Sequence, residues 1–302
     1  MKVLITGGSG YVGTTLIEEL NALDNVENIF VYDNLSSSSI GFFLGKTKLN
    51  KVKFIKGDIL DTYALEQIIT EVDVIYHLAA YVSFPYNHQQ NMQYDQINKW
   101  GTLNLVRCIK NTDNSVKKFI YLSSCSVYGL NENIDFNDEP IPSNAYGKSK
   151  FAAEKYVKLL KGNMNVEIVR AANIFGFNCN LRLDSVLNNF IFNGLVHKKI
   201  LIYGNGDQKR PYASLNNLVK LLTISITEKE NPSLRNFAEF NASLNEIKDW
   251  LIRLVPDMEY TYVNQNMLYE GQSLKNIGIF ADYSESLNNE FEIFKKNIRI
   301  FN

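Results

Sequence analysis

The chain has 302 residues, enough to bury a large core as one α/β domain or as two smaller ones, and length does not choose between them. Its formal net charge is −1 with acidic and basic residues intermixed, which excludes the electrostatic footprint of a nucleic-acid or anionic-membrane binder and leaves a small ligand as the expected partner. Cys108, Cys125 and Cys179 are odd in number and far apart, and His77, His88 and His197 share no ligand spacing with them, so neither a disulfide framework nor a metal site is expected.

Met1 and Lys2 run directly into Val3-Leu4-Ile5-Thr6, an apolar run too short for a signal-peptide core or a membrane span, and a cytoplasmic protein is expected. Short β-branched or aromatic runs then alternate with helical patterns, the rhythm of a doubly wound parallel α/β sheet. The pattern predicts strands over 2–6, 28–32, 52–56, 73–78, 118–123 and 166–170. It predicts helices over 11–22, 62–70, 91–110 and 146–161. After Arg170 the rhythm changes to long polar loops, a helix over 183–196, a strand over 200–203 and helices over 216–228, 244–255 and 284–296. A smaller C-terminal lobe set over the carboxyl edge of the sheet is expected, where open α/β sheets bind ligands.

Thr6-Gly7-Gly8-Ser9-Gly10-Tyr11-Val12-Gly13 lies between the first strand and the first helix. In such a Rossmann-like motif Gly7 allows the tight turn, Gly10 lets backbone approach a pyrophosphate and Gly13 lets the helix pack close. Glycine spacing alone is weak evidence, and its position between strand and helix is what gives it weight. Asp33 ends the second strand about 20 residues past the glycines, where a carboxylate accepts both ribose hydroxyls of NAD and repels the extra phosphate of NADP. The alternative is a turn aspartate in Asp33-Asn34. An acid at Gly57-Asp58-Ile59 can accept a hydrogen bond from adenine. His77-Leu78-Ala79-Ala80 offers small residues for a flat cofactor, with His77 read as a satisfied buried histidine rather than a proton carrier.

Tyr146 and Lys150 stand four apart, on one face of a helix, where an ammonium beside a phenol favours the phenolate. Such pairs also arise by chance, and specificity comes from Ser123 to Gly129 at the end of the fifth strand, where Ser124 can polarise the oxygen that Tyr146 deprotonates. These motifs, with Asn98 to Thr102, Asn173 to Gly176 and Tyr203 to Arg210, resemble in their order the signatures of the NAD-dependent epimerase/dehydratase family of extended short-chain dehydrogenases/reductases, whose familiar member is UDP-galactose 4-epimerase.

The resemblance covers about the first two-thirds of the chain. It implies a catalytic trio of Ser124, Tyr146 and Lys150. It implies cofactor contacts from Gly7, Gly10, Tyr11, Val12, Gly13, Asp33, Asn34, Asp58, Ile59, Leu78, Ala79, Ala80, Asn98, Tyr146 and Lys150, with NAD as cofactor. Substrate contacts are implied for Ser83, Ser124, Tyr146, Asn173 and Arg210. A guanidinium fork at Arg210 also suits a phosphate in its own right, and a surface arginine is the alternative. The expected division is 1–170 as an NAD-binding domain, with 197–222 returning to it, and 171–302 as mainly a substrate-binding lobe.

Pro211-Tyr212 replaces the aspartate and aromatic residue usual after the family's arginine, and Asn217 occupies a common aspartate position. Family dehydratases carry Asp-Glu after the catalytic hydroxyl residue, where this chain has Cys125-Ser126. The resemblance therefore implies 4-epimerisation of a nucleoside-diphosphate sugar through a 4-keto intermediate. A net dehydrogenase or 4-ketoreductase is the alternative; a 4,6-dehydratase, a non-catalytic NAD sensor and a purely structural protein are less favoured. A homodimer is expected through helices 91–110 and 146–161, with Ile97, Trp100, Leu103, Phe151 and Val157 as contacts or as ordinary core.

Overall fold

The computed structural model describes residues 1–36, 40–44, 47–82, 91–228, 232–264, 266–267, 269–275 and 283–299. Strands β1 (Lys2–Thr6), β2 (Asn28–Asp33), β3 (Val52–Lys56), β4 (Val74–His77), β5 (Lys118–Ser124) and β6 (Asn165–Ala171) follow the predicted runs to within two residues at each end. Three short strands come next, β7 (Asn173–Phe175), β8 (Lys199–Tyr203) and β9 (Lys209–Ser214), then β10 (Leu234–Phe237), β11 (Phe240–Ser243) and β12 (Glu259–Val263). A parallel seven-stranded sheet has the order β10-β6-β5-β4-β1-β2-β3. Strand order reverses between β1 and β4, and a crevice opens at the carboxyl ends there.

Both faces of this sheet are covered, so its strands read as continuous apolar runs whose successive residues point to opposite sides. Helices α1 (Tyr11–Ala22) and α2 (Thr62–Ile69) follow β1 and β3. Past β4, a first turn α3 (Asn91–Gln93) leads through a π-helical stretch (Tyr94–Gly101) into α4 (Thr102–Asn111). Helix α5 (Ala145–Val157) precedes β6, and α6 (Val186–Val196) and α7 (Leu215–Thr227) lie further on. Leu4, Ile75, Phe119 and Ile168 pack against Leu65 of α2, Leu105 of α4 and Val157 of α5. On the other face Val3, Ile5 and Val31 meet Leu16 and Leu20 of α1 and Leu218 and Leu222 of α7.

The segment expected to return to the sheet, 197–222, divides. β8 pairs with β12, and β9 joins β7 and β11 in a three-stranded sheet. Only α7 and the strand β10 after it rejoin the large sheet. Helices α8 (Leu244–Leu254) and α9 (Tyr283–Asn297) close a third apolar cluster, built on Phe190, Ile202, Tyr212, Trp250 and Phe291. Val157 is fully buried in the sheet's own core and is not an interface residue, while Trp100 is 48% exposed. Among the described residues no helix is long and apolar enough to cross a membrane.

A buried acidic pair marks the seam where α9 meets this cluster. Glu290 accepts from the Asn216 side chain at 2.8 Å and from the Phe177 amide at 3.3 Å, both neutral donors. Glu239, held by Ser214, Asn217 and Ser286, adds a like charge. Burial first, and Glu239 second, push Glu290 up to about 7 from 4.5. The folded state therefore binds the proton more tightly, so the stability this site contributes is full below about pH 4.5 and is lost as pH rises through about 7. Glu290→Gln, which cannot ionise, is expected to be more stable than the wild type at pH 8 by up to about 3 kcal/mol, and equal to it near pH 4.5. Thermal unfolding at both pH values checks this, and a difference that does not change with pH would contradict it.

Candidate active site

A cavity of 1940 Å³ opens at the carboxyl ends of β1, β2, β4, β5 and β6 and runs under the small sheets. A drug-sized ligand fills about 300–1,000 Å³, so the space suits two ligands side by side. Its wall includes Gly7, Gly10, Tyr11, Val12, Gly13, Asp33, Asn34, Ile59, Leu78, Ala79, Ala80, Ser124, Tyr146, Lys150, Asn173 and Arg210.

At one end lies the glycine turn. Gly7 has φ +71°, and a Cβ there would fall 2.5 Å from the Ala79 backbone, so β1 and β4 close together only around glycine. A Cβ at Gly13 would strike the Gly8 carbonyl at 2.5 Å, which brings α1 down onto the turn. Gly10 caps α1 with no side-chain hydrogen bond, leaving the first-turn amides for an anion. The Ser9 hydroxyl is buried beneath the turn with no partner among the described residues. Asp33 accepts the Ser9 amide at 3.1 Å and the Leu35 amide at 2.8 Å, which fixes its carboxylate while lone pairs stay available for two ribose hydroxyls. Leu35 takes φ 61° to make that bond, a strained conformation for leucine. Uncapped helix amides, a glycine turn that a Cβ would block and an oriented acid fit the diphosphate and adenosine ribose of NAD.

Two expected cofactor residues do not line the cavity. Asp58 turns into its own loop, accepting from the Asn34 side chain at 3.0 Å and the Leu60 amide at 2.9 Å. Asn98 is buried behind Tyr81, accepting that residue's amide at 2.7 Å and donating to its carbonyl and to Ser149, each at 3.0 Å. Both have the expected motif position; Asn98 spends its polar atoms on Tyr81 and Ser149, and the Asp58 carboxylate is braced within its own loop off the cavity wall. Ser83 lies outside the described residues. His77 bonds Thr6 at 2.7 Å and Thr102 at 2.8 Å, and burial holds its pKa down at about 3, a neutral structural ring as expected.

The trio converges from two elements. β5 ends at Ser124, whose hydroxyl accepts the Ser126 amide at 3.1 Å and so caps the turn that follows. Helix α5 starts at an Asn144 cap and presents Tyr146, Lys150 and Glu154 at successive turns. The Ser124 hydroxyl stands close enough to the Tyr146 phenol to lower its pKa, while its own hydrogen bonds go to Ser126. Burial pushes that phenol above its ordinary value, and the Arg182 charge and the Ser124 hydroxyl pull it partway back. Lys150 donates to the Leu122 carbonyl at 2.8 Å and sits 4.8 Å from the Tyr121 ring centre. Burial pulls its ammonium down to about 7 against the raising effect of Glu154.

Arg182 is the residue that motif spacing did not reveal. It lines the cavity, forms a two-bond pair with Asp184 and places its guanidinium charge where it favours the Tyr146 phenolate. No local pattern marks it, since it reaches the phenol through the fold of its loop alone. Asn173 donates to the Pro211 carbonyl at 2.9 Å, tying β7 to β9. Arg210 stands on β9 with a bond to the Glu270 carbonyl at 2.8 Å, so the unusual Pro211-Tyr212 pair continues a strand.

A model of the NAD-dependent epimerase/dehydratase family matches residues 3–238. The dTDP-D-glucose 4,6-dehydratase of Dictyostelium discoideum is 32% identical over 274 residues, which are 84% of this chain and 62% of that protein. The chain thus spans less than two thirds of the Dictyostelium protein's length. The putative UDP-glucose 4-epimerase of Methanocaldococcus jannaschii is 28% identical over 256 residues, 82% of this chain and 80% of that protein. Among solved structures, UDP-N-acetylglucosamine 4-epimerase from Methanobrevibacter ruminantium M1, in complex with UDP-N-acetylmuramic acid, superposes with a TM-score of 0.84 at 26% identity, covering 98% of this chain and 99% of that one. UDP-glucuronic acid 4-epimerase from Bacillus cereus, in complex with UDP-glucuronic acid and NAD, gives 0.86 at 22% identity over 99% of this chain and 100% of that one, a likeness of fold. On its motifs, its sheet and the match over residues 3–238, the chain belongs to the NAD-dependent epimerase/dehydratase family, whose members are enzymes that use NAD on nucleotide sugars.

Proposed function

We propose that this enzyme interconverts the 4-epimers of a nucleoside-diphosphate sugar. Tyr146 takes the proton of the sugar hydroxyl, Ser124 donates to the same oxygen, Arg182 supplies a positive field that favours the phenolate, and Lys150, one helical turn on, stands beside them in the cavity wall. NAD, when bound, supplies the hydride acceptor and donor. Turning the 4-keto sugar over between the two transfers would invert the carbon with no net use of cofactor. Arg210 on β9 suits the diphosphate of the sugar nucleotide.

The observation that carries this reading is the residue pair after Ser124. Eliminating water from the sugar needs groups that move protons at the neighbouring carbons, and the chain offers Cys125 and Ser126. The Cys125 thiol is buried, turned to the Arg170 carbonyl at 3.4 Å and pushed up to about 12 by that burial, so it does not deliver protons to the cavity. Reversible oxidation is the chemistry that the remaining residues support.

Incubation with UDP-glucose, UDP-galactose and their N-acetyl forms is expected to give the 4-epimer of at least one of them with no net change in cofactor absorbance. Separation of the products by chromatography checks this. A stoichiometric absorbance change would assign a net dehydrogenase or 4-ketoreductase instead, and a 4-keto-6-deoxy product would assign a dehydratase, the activity named for the Dictyostelium relative.

A further inference from the structure

The loop over residues 176–182 joins the glycine turn to the small sheets, and its two sides are held by different forces. Phe177 and Leu181 pack into the apolar cluster of Phe190 and Trp250. Toward α1 the hold is polar. Asn178 Nδ2 donates to the Tyr11 carbonyl at 2.6 Å and to Thr15 Oγ1 at 3.1 Å. Asn180 Nδ2 donates to the Ser9 carbonyl at 2.8 Å and to Thr14 Oγ1 at 2.8 Å. The Asn180 amide donates to Asn178 Oδ1 at 2.9 Å, so each asparagine braces the other. Beneath them the Tyr11 hydroxyl donates to the Gly176 carbonyl, and Asn188 accepts the Gly176 amide at 2.9 Å.

Asn180, Leu181 and Arg182 share the cavity wall with Gly10, Tyr11 and Val12, the residues that face a diphosphate. Gly41, from the loop that leaves β2 past Asp33, abuts Cys179 on the same strap. A dinucleotide on the glycine turn is therefore bordered by a strap whose apolar side belongs to the small sheets and whose polar side can let go.

We propose that Asn178 and Asn180 are positioning residues that latch this strap onto the cofactor turn, so that the dinucleotide departs only after the latch opens. The purpose of such a latch rests on the epimerase reading, because an enzyme that takes and returns hydride on one sugar must keep its cofactor through both transfers. Hydrogen bonds to main-chain carbonyls do this without touching the reacting atoms. They also break more readily than the Phe177 and Leu181 contacts, which sets the side on which the strap opens.

The test is a chase. Protein loaded with isotope-labelled NAD is diluted into unlabelled NAD, and retained label is followed with time. Asn178→Ala removes three bonds and Asn180→Ala two; each is expected to release label about tenfold faster than the wild type, and the double variant faster than either, while both single variants remain folded in urea titration. Folded variants that release label at the wild-type rate would overturn the proposal. Should either variant fail to fold, hydrogen exchange at the Gly176 and Asn180 amides of the wild type decides: slowing by bound NAD supports the latch, and equal exchange with and without NAD refutes it. Slow release with no epimer formed would leave the latch standing and refute the reaction; epimer formed with equal release rates would do the reverse.

Discussion

Tyr146→Phe is expected to lower turnover by about 10²- to 10⁴-fold while NAD binds as before, because one proton-transfer group is lost and nothing else. Phenylalanine keeps the ring that packs 5.8 Å from Tyr94, and it leaves Lys150 on the Leu122 carbonyl and the glycine turn untouched. The effect belongs in kcat, since the phenol's bond to the sugar oxygen strengthens as the proton moves. Single-turnover kinetics with the active nucleotide sugar and a fluorescence titration with NAD separate the two terms. A variant that turns over at the wild-type rate would remove Tyr146 from the chemistry and with it the role assigned to Ser124.

Glu154→Gln is expected to destabilise the fold by about 3–5 kcal/mol, the cost of leaving a buried charge without its partner. Glu154 is fully buried and Arg170 is 3% exposed. Arg170 donates twice to the carboxylate, at 2.9 and 2.7 Å, and Ser123 donates at 2.6 Å. Through Tyr128 the same arginine reaches Asn236 on β10. One ion pair thus binds α5, which carries Tyr146 and Lys150, to the ends of β5, β6 and β10. Replacing both charges, as Glu154→Gln with Arg170→Met, is expected to recover part of the loss, because no lone charge then remains buried. Urea unfolding of the single and double variants measures both, and a single variant within about 1 kcal/mol of the wild type would show that the pair is dispensable.

The half of the cavity proposed for NAD was legible in outline because its parts are local. A glycine turn between a strand and a helix, an acid at a strand end and a tyrosine one helical turn before a lysine all declare themselves by spacing. What spacing could not reveal was direction. Asp58 and Asn98 have the expected positions, yet neither lines the cavity: Asp58 is held by Asn34 and Leu60, and Asn98 by Tyr81 and Ser149. Arg182 has no motif, yet a loop that folds back on α1 carries its charge to the phenol. Four of the five missed strands have a related cause, and β12 (Glu259–Val263) is the exception. β7 has three residues, β10 and β11 four each, too few for an alternating pattern, and β9 contains Pro211, which reads as a strand breaker.

Between β6 and α9 the chain passes from the large sheet to the small ones, returns as α7 and β10, and leaves again. A fragment ending at Arg170 would lose the helix that covers Val3 and Ile5 and the strand that borders β6. The two parts are braided rather than strung in series, so they have no seam at which recombination could trade one for another. Remodelling for a different ligand in such a molecule is confined to the stretches between β6 and α7 or beyond β10, which leave the glycine turn and its sheet in place.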